Sequence, residues 1–391
     1  GGTTNESTVT VSGNRSAARA YGNDVGQTIA LEANTLNGAS GLAALTGGTT
    51  GATNDGNASA SGAVTIASLQ SIYNGDVDAL NQNSGIGLDA DTRIPAIRDV
   101  IGSSSLSTNA NTQEAVALGS SGSNGISLTG NTVGGGAGIA SVQIGDEDSA
   151  VSSTLTGAQV GLIAGTHAED STLSVTGNLQ RAIAYGTMAT NPLAVEANGV
   201  NVAAGGAGAA GTYNPAGDPF HSSLSQPTVE ASFGVLNDQS VQGPVAAAAD
   251  GVIGLSVEGD VSGSSTTNDG NALVAAAYGN DAANGISLDA GTLTSTGFAS
   301  VAHVGNAQAA FGDAAVSATA FGGQVVTTDI EDNVLGSTVS TSTNQVQALA
   351  SGSQVSNNLA VSGNTVDTSG IAAAGLSLAG GELSGTTSFG V

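Results

Sequence analysis

Gly13-Asn14-Arg15-Ser16-Ala17-Ala18-Arg19-Ala20-Tyr21-Gly22, continued by Ile29 and Leu31, decides the reading of this chain. The same register returns four more times. Asn111 is followed by Ala115, Ala117, Leu118, Gly119, Ile126 and Leu128, and Asn178 by Ala182, Ala184, Tyr185, Gly186, Leu193 and Val195. Asn271 leads to Ala275, Ala277, Tyr278, Gly279, Ile286 and Leu288, and Asn344 to Ala348, Ala350, Ser351, Gly352, Leu359 and Val361. Thirteen residues after each anchor stand Gln27, Asn124, Asn191, Asn284 and Asn357. Successive anchors are 97, 67, 93 and 73 residues apart. The unit is therefore about 70 residues with insertions in some copies, and a repeat of that kind takes precedence in choosing an architecture.

Inside a unit the pattern alternates. Val9 and Val11 alternate with Thr8, Thr10 and Ser12, as Leu173 and Val175 do with Thr172, Ser174 and Thr176. A period of two carrying β-branched residues is the pattern of strands with one face turned inward. Gly-Asn pairs punctuate these strands where the chain must turn through positive φ. Residues 113–118 are too short for a helix and carry the repeat's own alternation. Ala67-Ser68-Leu69-Gln70, Ala140-Ser141-Val142-Gln143, Ala231-Ser232-Phe233-Gly234 and Ala299-Ser300-Val301-Ala302 read as one second recurring strand. Stacked copies place Asn over Asn and Ala over Ala, so amides bond from copy to copy and stability comes from neighbours. The expectation is an all-β chain, a β-solenoid (β-helix) built from about five degenerate repeats, forming a single array over residues 1–391. Tandem immunoglobulin-like sandwiches are the competing architecture, but they rest on a bulkier core.

Composition agrees with a thin core. Aromatic residues are 3% of the chain and there is no tryptophan, so the apolar interior comes from Ala, Val, Leu and Ile. Disordered chains combine low hydrophobicity with dense charge, whereas only 9% of these residues are charged. The formal charge of −26 argues against nucleic acid or an anionic membrane as partner. With no cysteine there are no disulfides, which is compatible with export. No apolar run reaches transmembrane length, and no basic-then-apolar leader opens the chain.

The chain opens inside a unit, before the strand holding Val9 and Val11. It closes on Thr387-Ser388-Phe389-Gly390-Val391, which matches Ala231-Ser232-Phe233-Gly234-Val235. Open sheet edges invite another chain. The expected partner is a further copy of the chain, joined end to end through Val9, Val11, Ser388, Phe389 and Val391. A fragment of a longer array is the alternative. Between residues 199 and 227 the pattern fails in a Gly/Pro-rich insertion holding Pro215, Pro219 and Pro227. This insertion reads as a surface loop, or as a docking arm anchored by Tyr213 and Phe220.

Chemistry finds little support. His167, His221 and His303 occupy unrelated repeat positions. No G-x-S-x-G elbow occurs, and a thiol nucleophile is absent. Polysaccharide lyases built as β-helices need basic residues beside calcium-binding acids, and Arg15, Arg19, Arg93, Arg98 and Arg181 form no repeated cluster. Neither an enzyme nor a cofactor is expected. Calcium is the one metal considered, through Asp76 and Asp78, Asp89 and Asp91, Asp146-Glu147-Asp148, or Asp329 with Glu331 and Asp332. None matches a calcium loop, so these read as solvated turn acids. Tyr21, Tyr185 and Tyr278 share one register position and should face outward or a neighbouring layer. A carbohydrate-binding row there is interrupted by Leu118 and Ser351. Outward threonines such as Thr8 and Thr10 are too irregular for an ice-binding array.

The motifs Val11-Ser12-Gly13-Asn14, Ala18-Arg19-Ala20-Tyr21-Gly22-Asn23 and Asn284-Gly285-Ile286-Ser287-Leu288 resemble bacterial extracellular β-strand-repeat proteins. The resemblance is greatest to surface proteins of the holdfast-attachment type and looser to curli repeats, whose Gln and Asn spacing is not kept. It implies export to the bacterial surface and a role in adhesion or matrix. The functional expectation is a structural subunit of a secreted filament. The alternative is a monomeric adhesin stalk that binds extracellular polysaccharide or a surface.

Overall fold

The computed structural model describes residues 4–37, 43–49, 56–88, 100–164, 167–203, 228–297, 300–310, 314–321, 326–371, 376–378, 381–383 and 389–390. Among these residues the chain is all-β, without helix. The strands build five principal sheets, and within each the neighbours along the main path pair in parallel.

The first sheet takes Thr4–Asn5, Val100–Gly102, His167–Glu169, Asp260–Ser262 and Val334–Leu335. The second takes Thr8–Ser12, Ser105–Asn109, Thr172–Thr176, Ser265–Asp269 and Thr338–Ser342. The third holds the long strands Arg15–Asn37, Thr112–Gly134, Leu179–Ala203, Ala272–Gly297 and Gln345–Ile371. The fourth holds Val64–Ile72, Ala137–Gly145, Thr228–Val241, Ser300–Ala310 and Phe389–Gly390. In the fifth, Val77–Gln82 and Gly85–Leu88 precede Val151–Ala164 and Val245–Val257, followed by Val316–Phe321 and Val326–Ile330. The chain visits the sheets in this order and then returns to the first, so each pass lays one strand beside its counterpart in the last.

Two corners in each pass use left-handed backbone. Gly13, Ala110, Gly177, Gly270 and Thr343 take φ of 68, 54, 64, 66 and 50° just before the anchor asparagines. Seven residues earlier, Glu6, Ser103, Asp170, Gly263 and Gly336 do the same at 51, 46, 47, 58 and 60°. Glycine enters this region without steric cost, whereas Ala110 and Thr343 are held there by the pairing on either side.

Among the described residues the buried side chains form four apolar clusters, three of them large. Ile126, Leu128, Leu193, Leu288 and Phe233 fill the space between the far half of the third sheet and the fourth. Ala115, Ala117, Ala182, Ala184, Val245 and Leu273 pack the near half of the third sheet against the fifth. Leu106, Leu162, Leu173 and Leu255 join the first and second sheets to the other half of the fifth. Alanine predominates between the near half of the third sheet and the fifth. There the glycines Gly22, Gly119, Gly186 and Gly279 of one column are required by contact rather than by φ. A Cβ on Gly186 would lie 2.5 Å from the Gly279 carbonyl oxygen and 2.7 Å from Val241 Cγ2.

Two expectations need correction. Ala67–Gln70 pairs with Ala140–Gln143, but Ala140 faces Leu236 rather than Ala231, and Ala231 faces Ser300. Ala-Ser is too common a pair in this composition to set register; the inward Phe233 and the glutamines set it instead. The strand Leu179–Ala203 stays paired with Ala272–Gly297 as far as Ala203, five residues into the insertion placed at 199–227. Residues 204–227, with Tyr213 and Phe220, lie outside the described residues. The arginines, read as forming no repeated cluster, bring three of their number to one carboxylate, that of Glu114.

Candidate functional site

The site is the set of ladders that run from pass to pass and the two faces on which they end. Asn14, Asn111, Asn178, Asn271 and Asn344 stand in one column. Each Nδ2 donates to the Oδ1 of the next asparagine, at 3.1, 3.0, 2.9 and 3.1 Å. The backbone N–H of each also donates to that Oδ1, at 3.0, 3.0, 2.9 and 2.9 Å. The second Nδ2 proton of Asn111, Asn178 and Asn271 goes back to the carbonyls of Val11, Thr108 and Val175. The three internal amides are fully used, which is what burial demands of them.

Asn124, Asn191, Asn284 and Asn357 form a second column with Nδ2 to Oδ1 distances of 2.9, 2.8 and 3.0 Å. Asn124 Oδ1 is buried without a donor, because the residue opposite it in the first pass is Gln27. Facing this column is a third ladder that sequence reading missed. Gln143, Gln239 and Gln308 each donate Nε2 to the Oε1 of the preceding glutamine, at 2.6, 2.8 and 2.6 Å, beginning with Gln70. Their remaining protons cross to the third sheet, to the carbonyls of Met188, Asp281 and Gln354, and that of Gln70 reaches Ser121. The misplaced register at Ala231 hid this ladder.

A serine ladder was also missed. The N–H of Ser7, Ser104, Ser171 and Ser264 donates to the Oγ of Ser104, Ser171, Ser264 and Ser337, at 3.1, 3.2, 2.9 and 3.0 Å. Each serine stands seven residues before an anchor asparagine, a spacing that the sequence displays in all five copies.

On the outer face of the third sheet, Arg15, Arg19 and Arg181 converge on Glu114, whose side chain is fully buried. Arg19 and Arg181 hold it with guanidinium contacts of 2.8 and 2.6 Å, and Arg15 completes the set. Burial works against the carboxylate charge, but the hydrogen bonds from Arg19, Arg15 and Arg181 outweigh it and hold the Glu114 pKa at about 2. The cluster was invisible in sequence because its members lie in three different passes. Arg93 and Arg98 lie outside the described residues. Beside it the Tyr185 and Tyr278 rings stack at 4.8 Å, so the two faces turned to each other are occupied by tyrosine.

His303 is buried, and burial lowers its pKa. His167 lies 3.7 Å from Asp260, its partner on the neighbouring strand of the first sheet, and His221 is outside the described residues. Among the described residues no group of three or more His, Asp or Glu side chains is placed to hold a metal ion. Of the acids weighed for calcium, Asp76 accepts from the Ala150 N–H at 3.0 Å, Asp78 from Ser152 and Asp146 from the Glu147 N–H at 2.8 Å. Asp89 and Asp91 lie outside the described residues.

The ladders end on two faces. Val9 and Val11 sit half-buried in the edge strand Thr8–Ser12, opposite Leu106 and Thr108, which are fully buried. On the other face Val339 is 42% exposed, although its column counterparts Leu106, Leu173 and Thr266 are completely covered. Val346 is 53% exposed above a fully buried Leu273. Phe389 pairs through its backbone with Ala302, while Ser388 and Val391 lie outside the described residues. Comparison with protein-family models, with curated proteins and with solved structures finds no match to this chain.

Proposed function

We propose that this chain is a β-solenoid that serves as a structural subunit of a secreted bacterial filament, assembling end to end through its two open faces. The observation that carries this reading is the contrast along single columns. Residues that are fully covered in the middle passes, such as Leu106, Leu173 and Leu273, have counterparts at Val339 and Val346 that are about half exposed. Apolar side chains in inward positions gain roughly 1.5 to 3 kcal/mol each on full burial, so both faces gain from a further layer. Their edge strands also present unpaired N–H and C=O groups, the usual template for another strand.

The role is structural rather than enzymatic in this reading. The buried polar side chains are committed chiefly to one another, in ladders whose repeat is the strand spacing. The extracellular setting rests on the resemblance to surface β-strand-repeat proteins and on a chain that needs no reduced thiol. The negative charge keeps free subunits apart in bulk, and short-range pairing at the faces acts against it.

Electron microscopy of the purified chain over a rising concentration series tests this. Uniform unbranched fibres that lengthen with concentration are expected. Short rods of constant length at every concentration would overturn the filament reading in favour of a monomeric stalk.

A further inference from the structure

We propose that copies join head to tail in one register, the Gln345–Ile371 face of one copy against the Arg15–Asn37 face of the next; this rests on the end-to-end reading above. The joint continues each column of the first three sheets by one step. Asn344 meets Asn14, Asn357 meets Gln27 and Gly352 meets Gly22 of the next copy.

The first argument is the direction of the ladders. Every internal step of the anchor column runs donor to acceptor, N–H and Nδ2 of one asparagine to Oδ1 of the next. Asn344 therefore turns its N–H and an Nδ2 proton outward, its other proton being held by the Asn268 carbonyl at 2.9 Å. At the opposite face, nothing among the described residues donates to Asn14 Oδ1. Asn357 likewise ends its column as a donor. Two like faces would set donor against donor or acceptor against acceptor, and unlike faces satisfy both.

The second argument is Gly352. In its column, a Cβ on Gly22, Gly119, Gly186 or Gly279 would strike the carbonyl oxygen of the next glycine at 2.5, 2.3, 2.5 and 2.4 Å. At Gly352 a Cβ would meet nothing within 4 Å. Among the described residues no contact requires glycine there, whereas a stacked Gly22 carbonyl would.

The third argument is that the faces match. Gly336 and Thr343 on one face and Glu6 and Gly13 on the other take the same left-handed corners. In this register Gln345 faces Arg15, Leu349 faces Arg19, Gln354 faces Asp24 and Ser362 faces Glu32, so in the third sheet no like charges oppose each other. The fifth sheet has four passes, not five, among the described residues. The joint therefore rests on the first three sheets. A heterologous contact that does not close on itself propagates as a filament.

The chain has no cysteine, which permits a direct test. Thr10→Cys and Ser340→Cys place single thiols on outward columns of the two faces. Head-to-tail stacking brings them to strand spacing, within disulfide range. Under oxidation each variant alone should give no covalent dimer, their mixture should give covalent dimers, and the double variant should give a covalent ladder. Gly352→Val should melt as the parent does and lose fibre formation. Fibres in which Thr10→Cys alone forms dimers, or in which Gly352→Val assembles normally, would overturn the head-to-tail register while leaving end-to-end assembly standing. Absence of fibres from the parent chain at every concentration would overturn both.

Discussion

Asn178 and Asn271 lie 93 residues apart in the chain, yet the Nδ2 of the first donates to the Oδ1 of the second at 2.9 Å, and the Asn178 N–H donates to the same oxygen at 2.9 Å. One side chain thus closes both a backbone and a side-chain hydrogen bond between passes. Because the pair is buried, nothing else can satisfy these groups if it is broken.

Asn178→Ala should therefore cost more than the same change at the end of the column. It strands the Asn111 N–H and Nδ2, and the expected loss is about 3 kcal/mol, two or three unsatisfied buried groups at the usual penalty. Asn14→Ala, exposed at the edge, should cost less than about 1 kcal/mol. Chemical denaturation of both variants under one set of conditions checks the ranking; equal midpoints would refute it.

Gly186→Ala places a methyl group 2.5 Å from backbone and 2.7 Å from Val241, neither of which can swing away. Overpacking of this kind costs about 1 to 3 kcal/mol. Gly26→Ala, where a Cβ meets nothing within 4 Å, should leave stability within about 0.5 kcal/mol of the parent. Thermal melts of the pair distinguish close approach from mere backbone freedom as the reason for glycine.

Glu114→Gln tests the arginine cluster. The carboxylate pKa falls from 4.5 when free to about 2 in the fold, so its stabilisation is complete above 4.5 and is lost as pH falls towards 2. At neutral pH the variant should be less stable by about 2 kcal/mol, since a buried charge is removed but its arginine partners are half solvated. That deficit should shrink through the window from 4.5 to about 2, measured by urea denaturation across pH. A deficit independent of pH would assign Glu114 a packing role only.

His303 carries the opposite kind of linkage. Burial lowers its pKa below 6.5, so the folded chain binds fewer protons than the unfolded chain under mild acid. Its contribution is intact above 6.5 and declines as pH drops below that value. His303→Leu should flatten the loss of stability between about pH 7 and about pH 5, read from denaturation midpoints. An unchanged slope would place the histidine in contact with water.

Much of this structure is legible in the residues. The anchor column, the second asparagine column and the alternation of Val9 with Thr8 and Thr10 follow from repeat spacing, because parallel strands in register place like residues side by side. The glutamine ladder was less legible. Gln70 and Gln143 stand in an evident motif, but Gln239 and Gln308 come into line only when Phe233 is seated inside, and that depends on the wall it packs against. The serine column was readable seven residues before each asparagine and carried no signal stronger than composition until its hydrogen bonds were seen.

What the sequence by itself determined is the step: which residues recur, at what offset, and which of them alternate inward. Those are consequences of a period of two within strands and of a repeat between them, and both are written in order along the chain. Only the tertiary structure decided what meets across passes at different columns. Arg15, Arg19 and Arg181 reach Glu114 from positions that do not repeat, and Gly186 is pinned between its stacked neighbour and Val241 from another sheet. Such contacts depend on the distance between walls and the reach of individual side chains, and neither quantity has a period for sequence reading to find.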